Sequence, residues 1–179
     1  MKKGFTLVEL LVVMAIIAIL ATVIIGGFRS SQMRGRDAQR KSDLKQIANA
    51  LEIFFADYGK YPPASGTQLA GCSYNAGTGA GGACDWGAGE FKDVDINGNT
   101  KTIYFKIVPK DPASSQNYVY RVSSTQNMYQ LFARLENPED KNCIGGDCAN
   151  PRVTATCGGG NLCNFGVTST NTAPTDTLP

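Results

Sequence analysis

Gly4-Phe5-Thr6-Leu7-Val8-Glu9-Leu10 opens an apolar run that continues to Phe28, and how that run is read decides the fold. At 1.5 Å per residue, a helix over Phe5–Phe28 would be about 36 Å long, enough to cross a bilayer. Glu9 is the one charge inside it. A carboxylate in such a segment is costly, roughly 2.5–3.5 kcal/mol at a helix centre and less near an end, so it is expected to serve a function and to need a partner. The basic pair Lys2-Lys3 stands just before Gly4.

The chain has 179 residues, 17 basic and 15 acidic side chains, 20 glycines, six cysteines and no histidine. Beyond a membrane helix this leaves enough chain for one modest globular domain. The charge balance does not indicate nucleic acid as a partner. Absence of histidine removes the commonest general base and any serine triad that needs it. With no Gly-x-Ser-x-Gly elbow either, a hydrolase on a stalk is disfavoured and no catalytic residue is assigned. The spacings Cys72-x11-Cys84, Cys143-x4-Cys148 and Cys157-x5-Cys163 match no zinc knuckle. An even cysteine count outside the helix points instead to disulfides and an oxidising compartment. Local pairs, Cys72–Cys84, Cys143–Cys148 and Cys157–Cys163, are expected because short loops close most readily. The alternative crosses the two C-terminal pairs.

After the apolar run, Leu44, Ile47, Ala48, Leu51, Phe54, Phe55 and Tyr58 recur at three- and four-residue spacing, one face of an amphipathic helix. Gly59, with Pro62-Pro63 beyond, supplies its stop. One long helix is therefore expected, with segment 5–28 lipid-facing and 29–59 covered by a domain. The basic residues from Arg29 to Lys45 are read as its solvated or subunit-facing side. Segment 60–92 is a glycine-rich loop that needs a tether, and Trp86 is a lone aromatic within it. Segment 93–142 carries the sheet of three to four antiparallel strands. A hairpin is expected at Asn97-Gly98, with further strands at 118–123 and 128–135. Segment 143–166 is cysteine-rich, and 167–179 reads as a flexible tail.

Asp93, Asp95, Asn97, Gly98 and Asn99 resemble the first half of a calcium loop, but Tyr104 stands where such loops place a bidentate glutamate. Val94 and Ile96 alternate with the acids as in a strand entering a hairpin. Metal binding is the less favoured expectation there, and no other cofactor is expected.

Lys2-Lys3-Gly4 followed by Phe5-Thr6-Leu7-Val8-Glu9-Leu10 resembles the processing motif of type IV pilins and type II secretion pseudopilins. The resemblance covers roughly the first 60 residues; Val108-Pro109-Lys110-Asp111-Pro112 adds a shorter likeness to a Pro-x-Asp-Pro element of major pseudopilins. It implies an α+β, pilin-like fold and a leader, 1–4, removed by a prepilin peptidase that cuts between Gly4 and Phe5 and methylates Phe5. It implies further that Glu9 meets the amine of a neighbouring Phe5 during assembly. The chain would then be a homo-oligomeric filament subunit, not an enzyme, handled by an inner-membrane assembly platform. Before assembly it would sit in the cytoplasmic membrane with its C-terminal domain outside, and afterwards in an extracellular pilus or pseudopilus. Cleavage would lower the 17 basic side chains to 15, matching the 15 acidic ones. Where many pilins have proline this chain has Gly26, so local unwinding there in a fibre is not required by the sequence.

Two observations favour other readings. Ala15, Ala18 and Ala21 imitate a secretory cleavage site, yet the apolar run is too long for a signal-peptide core. Lys2 and Lys3 are outnumbered by Arg29, Arg34, Arg36, Arg40 and Lys41, which by the positive-inside rule alone would leave the C-terminal part in the cytoplasm. The cysteine pattern and the processing motif both require export and overrule it. A membrane-anchored extracellular binding domain that never polymerises is the alternative function, and it has no use for Glu9.

Overall fold

A computed structural model describes residues 4–178 and, within them, all side chains except those of 23–27. Its first element, α1, spans Leu7–Tyr58. Gly59 ends it in the left-handed conformation (φ 65°, ψ 12°), its N–H donating to the Phe55 carbonyl at 2.7 Å. A side chain with a Cβ would be strained at that φ, which is why the helix stops where glycine occurs.

The rest of the chain folds onto the second half of α1. The glycine-rich segment forms β1 (Ala64–Ser65), β2 (Gln68–Leu69), β3 (Cys72–Asn75) and β4 (Ala80–Gly82). Then come β5 (Phe91–Val94), β6 (Thr100–Phe105), β7 (Val119–Val122), β8 (Tyr129–Ala133) and β9 (Phe165–Thr168). β1 and β2 form a small ribbon, the order β4-β3-β5-β6 makes a four-stranded sheet, and β7-β8-β9 a three-stranded one. All pairings are antiparallel except β3 with β5. The architecture is the α+β, pilin-like arrangement that the sequence suggests.

Alternation along the strands explains the layers. In the β7–β8 pair, Tyr120, Tyr129 and Leu131 face the helix with Leu44, Ile47, Leu51 and Phe54. Val119 and Phe132 face the opposite way and are covered by Val153, Ala155, Cys157 and Cys163. Phe54 is the aromatic hub of the helix side, its ring 4.8 Å from that of Tyr74 and 5.4 Å from Phe91. The helical stripe is thus core.

Three elements depart from the sequence reading. The segment read as a glycine-rich loop is a tied set of short strands, held by the Cys72–Cys84 bridge and by β3 pairing with β5. Sequence placed the sheet within 93–142, but strands also lie before and after those bounds. The stretch read as a flexible tail from 167 begins inside β9, and beyond it Gln130 Nε2 donates to the carbonyls of Ala173 (2.7 Å) and Asp176 (2.9 Å). β8 supplies the missing reason: its second edge needs a partner, and β9 fills it.

Candidate functional site

The processing end is built by a helix cap. Gly4 and Phe5 lie ahead of α1, exposed, and Thr6 is the N-cap. A Cβ built on Gly4 would meet nothing within 4 Å, so the chain's own packing does not demand glycine there. Glu9 accepts hydrogen bonds from the Thr6 N–H (2.8 Å) and the Thr6 hydroxyl (2.7 Å), while the Glu9 N–H donates to Thr6 Oγ1 at 3.3 Å. This reciprocal capping box satisfies donors that the first helical turn leaves open, and it sets a carboxylate where the helix dipole favours one. Within its own chain, Glu9 thus has Thr6 as a hydrogen-bond partner. The sequence signal was present, a threonine three residues before a glutamate.

From Leu7 to Thr22 every side chain is exposed, including Leu7 at 78%, Leu11 at 62% and Ile19 at 66%. Segment 5–28 lies partly outside the described side chains, and among the described residues no helix is long and apolar enough to cross a membrane. Lys2 and Lys3 lie outside the described residues.

A second cluster fixes this helix to the head. Arg40, fully buried, gives Nε and Nη2 to the two oxygens of Asp111 at 2.8 and 2.7 Å and Nη1 to Asp37 at 2.8 Å, with Glu136 2.8 Å away. Asp37 in turn accepts the N–H groups of Glu136 (2.9 Å) and Asn137 (2.8 Å). Arg36 pairs with Glu136, Lys41 with Asp140, and the Tyr118 hydroxyl donates to Asp43 at 2.7 Å. Burial alone would lower the Arg40 pKa, but the bonds to Asp111 and Glu136 outweigh it and hold it above the ordinary value. The Arg36 hydrogen bond holds Glu136 low, whereas burial pushes Asp43 up. The reading of Arg29–Lys45 as a solvated or subunit-facing side is therefore corrected at Arg40, which is buried within the chain, and at Arg36 and Lys41 in part. The sequence carried half the signal, Asp37 one turn before Arg40, while Asp111 lies 71 residues away.

Asp93 and Asp95 bind different partners. Asp93 is buried; it accepts from the Tyr58 hydroxyl and, at 2.5 Å, from the Thr102 N–H, with Lys101 Nζ 3.7 Å away. Burial, then the bond to Asp93, pushes Tyr58 up to about 12. Asp95 accepts the N–H groups of Asn97 and Asn99, both at 2.8 Å, and so closes the β5–β6 turn. Tyr104 donates to Asp57 at 2.7 Å. Among the described residues no group of three or more acidic, histidine or cysteine side chains could hold a metal ion. The cysteines are joined as Cys72–Cys84, Cys143–Cys148 and Cys157–Cys163.

A family model described as the prokaryotic N-terminal methylation motif matches residues 1–25. The chain is 41% identical over 60 residues to the type IV major pilin protein PilA of Myxococcus xanthus, covering 34% of this chain and 27% of that one. It is 36% identical over 61 residues to the type II secretion system core protein G of Pseudomonas aeruginosa, covering 34% and 43%. The type IV wide pilus major component PilA4 of Thermus thermophilus is 41% identical over 59 residues, covering 33% and 45%. The chain thus matches less than half the length of each of these relatives. No solved structure matches it. The likeness to type IV pilins and type II secretion pseudopilins thus lies in about the first 60 residues, and the methylation motif within the first 25.

Proposed function

We propose that the chain is a structural subunit of a type IV pilus-like or pseudopilus filament. The observation that carries this reading is the bare first half of α1. A helix apolar on every side is stable when lipid or other helices surround it. In the cytoplasmic membrane lipid serves that purpose; in a filament, copies of the same helix do. Prepilin peptidase cuts between Gly4 and Phe5, and Phe5 carries the methylated amine. The assembly platform then passes the subunit into the fibre with its head outside.

Glu9 is the register device of this reading. Its capping bonds come from its own chain, and a neighbouring Phe5 ammonium can join the same carboxylate. A matched ion pair is tolerated in an apolar fibre core, whereas a lone charge is not.

Intact-mass spectrometry of native protein should show a chain starting at methylated Phe5, and deletion of the gene should remove surface fibres. Glu9→Gln should be cut normally and build few fibres. Unchanged fibre yield from both Glu9→Gln and Glu9→Leu would overturn the filament reading in favour of a non-polymerising anchored domain.

A further inference from the structure

The outward face of the β7-β8-β9 sheet holds a second feature, independent of processing and assembly. Arg121 and Gln130 are register partners on β7 and β8. The same alternation that turns Tyr120 and Leu131 to the helix turns these two away from it. The cysteine-rich segment and the C-terminal residues pass over that face and leave a pocket of about 380 Å³, lined by Arg121, Arg152, Gln130, Thr154, Thr175 and Thr177 among others.

Its lining sets two arginines, Arg121 and Arg152, against one carboxylate, Asp176, a net positive charge. Neither Arg121 nor Arg152 is ion-paired within 4.0 Å among the described residues. Arg121 lies over the Phe132 ring, 5.8 Å from its centroid, and its Nη1 reaches Thr154 Oγ1 at 3.4 Å. Arg152 packs beside Gly145, where any Cβ would come within 2.7 Å of its Nε. Asp176, in the lining, accepts the Ala173 N–H at 2.7 Å and the Thr172 hydroxyl at 3.2 Å, and Asp147, outside it, accepts from Asn150 Nδ2 at 2.7 Å and the Ala149 N–H at 2.9 Å and also feels the charge of Arg152, so Arg121 is the less compensated of the two cations. Two guanidinium groups held in a concave site are suited to an oxyanion, which they can grip in a planar fork.

The volume falls in the range of small-molecule sites, roughly 300–1,000 Å³, and far exceeds what an inorganic anion fills. Three threonine hydroxyls on the walls add donors and acceptors suited to a polyol. Stacking on aromatic faces, the usual handle on single-stranded nucleic acid, is not offered by these walls, since Phe132 lies beneath Arg121. We infer that this pocket binds an acidic saccharide, its oxyanion held by Arg121 and Arg152 and its hydroxyls by the threonines. Because the pocket faces away from α1, a filament built on that helix would present it on the outside.

The test uses the full chain in detergent, titrated calorimetrically with a uronic-acid disaccharide, a sulfated disaccharide, a neutral disaccharide, inorganic sulfate and a short single-stranded oligonucleotide. Saturable binding of either acidic disaccharide is expected, with the other probes at least tenfold weaker. Arg121→Gln and Arg152→Gln should each weaken it at least tenfold, with an unchanged melting temperature showing that the head is intact. The inference is overturned if neither acidic sugar binds, if neutral sugar, sulfate or oligonucleotide binds as tightly, or if both arginine variants bind like the parent.

Discussion

The two halves of α1 belong to one helix and live by different rules. Leu11 and Leu51 are the same residue in the same kind of backbone, yet one is 62% exposed and the other fully buried. In the second half apolar residues keep to one stripe, and the head domain covers that stripe. In the first half they occupy every side, so no single packed domain could cover them. The described side chains of the first half are therefore left uncovered by this chain, while those of the second half's stripe are part of its core.

The head's dependence on the second half should appear most strongly at Arg40. Arg40→Met leaves Asp37 and Asp111 facing each other without their cation, and breaking a buried ion pair in this way costs about 3–5 kcal/mol. Thermal unfolding of the head should shift accordingly, and Asp111→Leu added to Arg40→Met should recover part of the loss. Recovery of none would mean that the cluster does not act as a unit.

Next comes Leu51→Ala, expected to cost about 2–5 kcal/mol through a lost core contact and a residual cavity. Opening the Cys72–Cys84 bridge by a double serine substitution tests the glycine-rich segment instead. Cross-links of this loop length contribute roughly 3 kcal/mol, read as a denaturant midpoint against the parent.

Acidity probes the boundary between the halves. Glu136 has its folded pKa depressed, so its contribution is present above the unfolded value, about 4.3, and is lost as pH falls through the folded one. Asp43, raised by burial, acts in the opposite sense and gains on acidification. Head stability should fall below about pH 4, and Glu136→Gln should flatten that fall. An unchanged slope would remove Glu136 from the account.

The smallest effect is expected from Leu11→Ala. It should leave head stability within about 0.5 kcal/mol of the parent, the usual range for a surface change. A large destabilisation would erase the distinction between the halves.

What was legible in the sequence was local. The stripe from Leu44 to Tyr58 could be read because i, i+3 and i+4 neighbours make a helix face without help from elsewhere. The hairpin at Asn97-Gly98 and the β7–β8 pair could be read from turn residues between strand-forming runs. β9 could not. Gly166 reads as a breaker, but a Cβ there would meet Phe132 Cδ1 at 3.0 Å and the Leu131 carbonyl at 3.2 Å, so the glycine lets β9 come close to β8. The parallel contact of β3 with β5 and the burial of Arg40 are likewise invisible locally, because their partners are distant in sequence. At the processing end the motif was legible in full, while the capping role of Glu9 was overshadowed by its cost in an apolar run.

Arg40 has a mechanical consequence. If the chain assembles as proposed, a fibre anchored at its base and pulled at its tip would strain each subunit where the helical shaft meets the head. In this chain that junction is fastened by a guanidinium gripping the loop at Asp111 and a carboxylate, Asp37, gripping the backbone at Glu136 and Asn137. The two grips lie one helical turn apart and hold loops from different parts of the head. A load along the shaft must shear several short bonds together before the head can peel away, and bonds loaded in parallel resist far more force than the same bonds opened in turn.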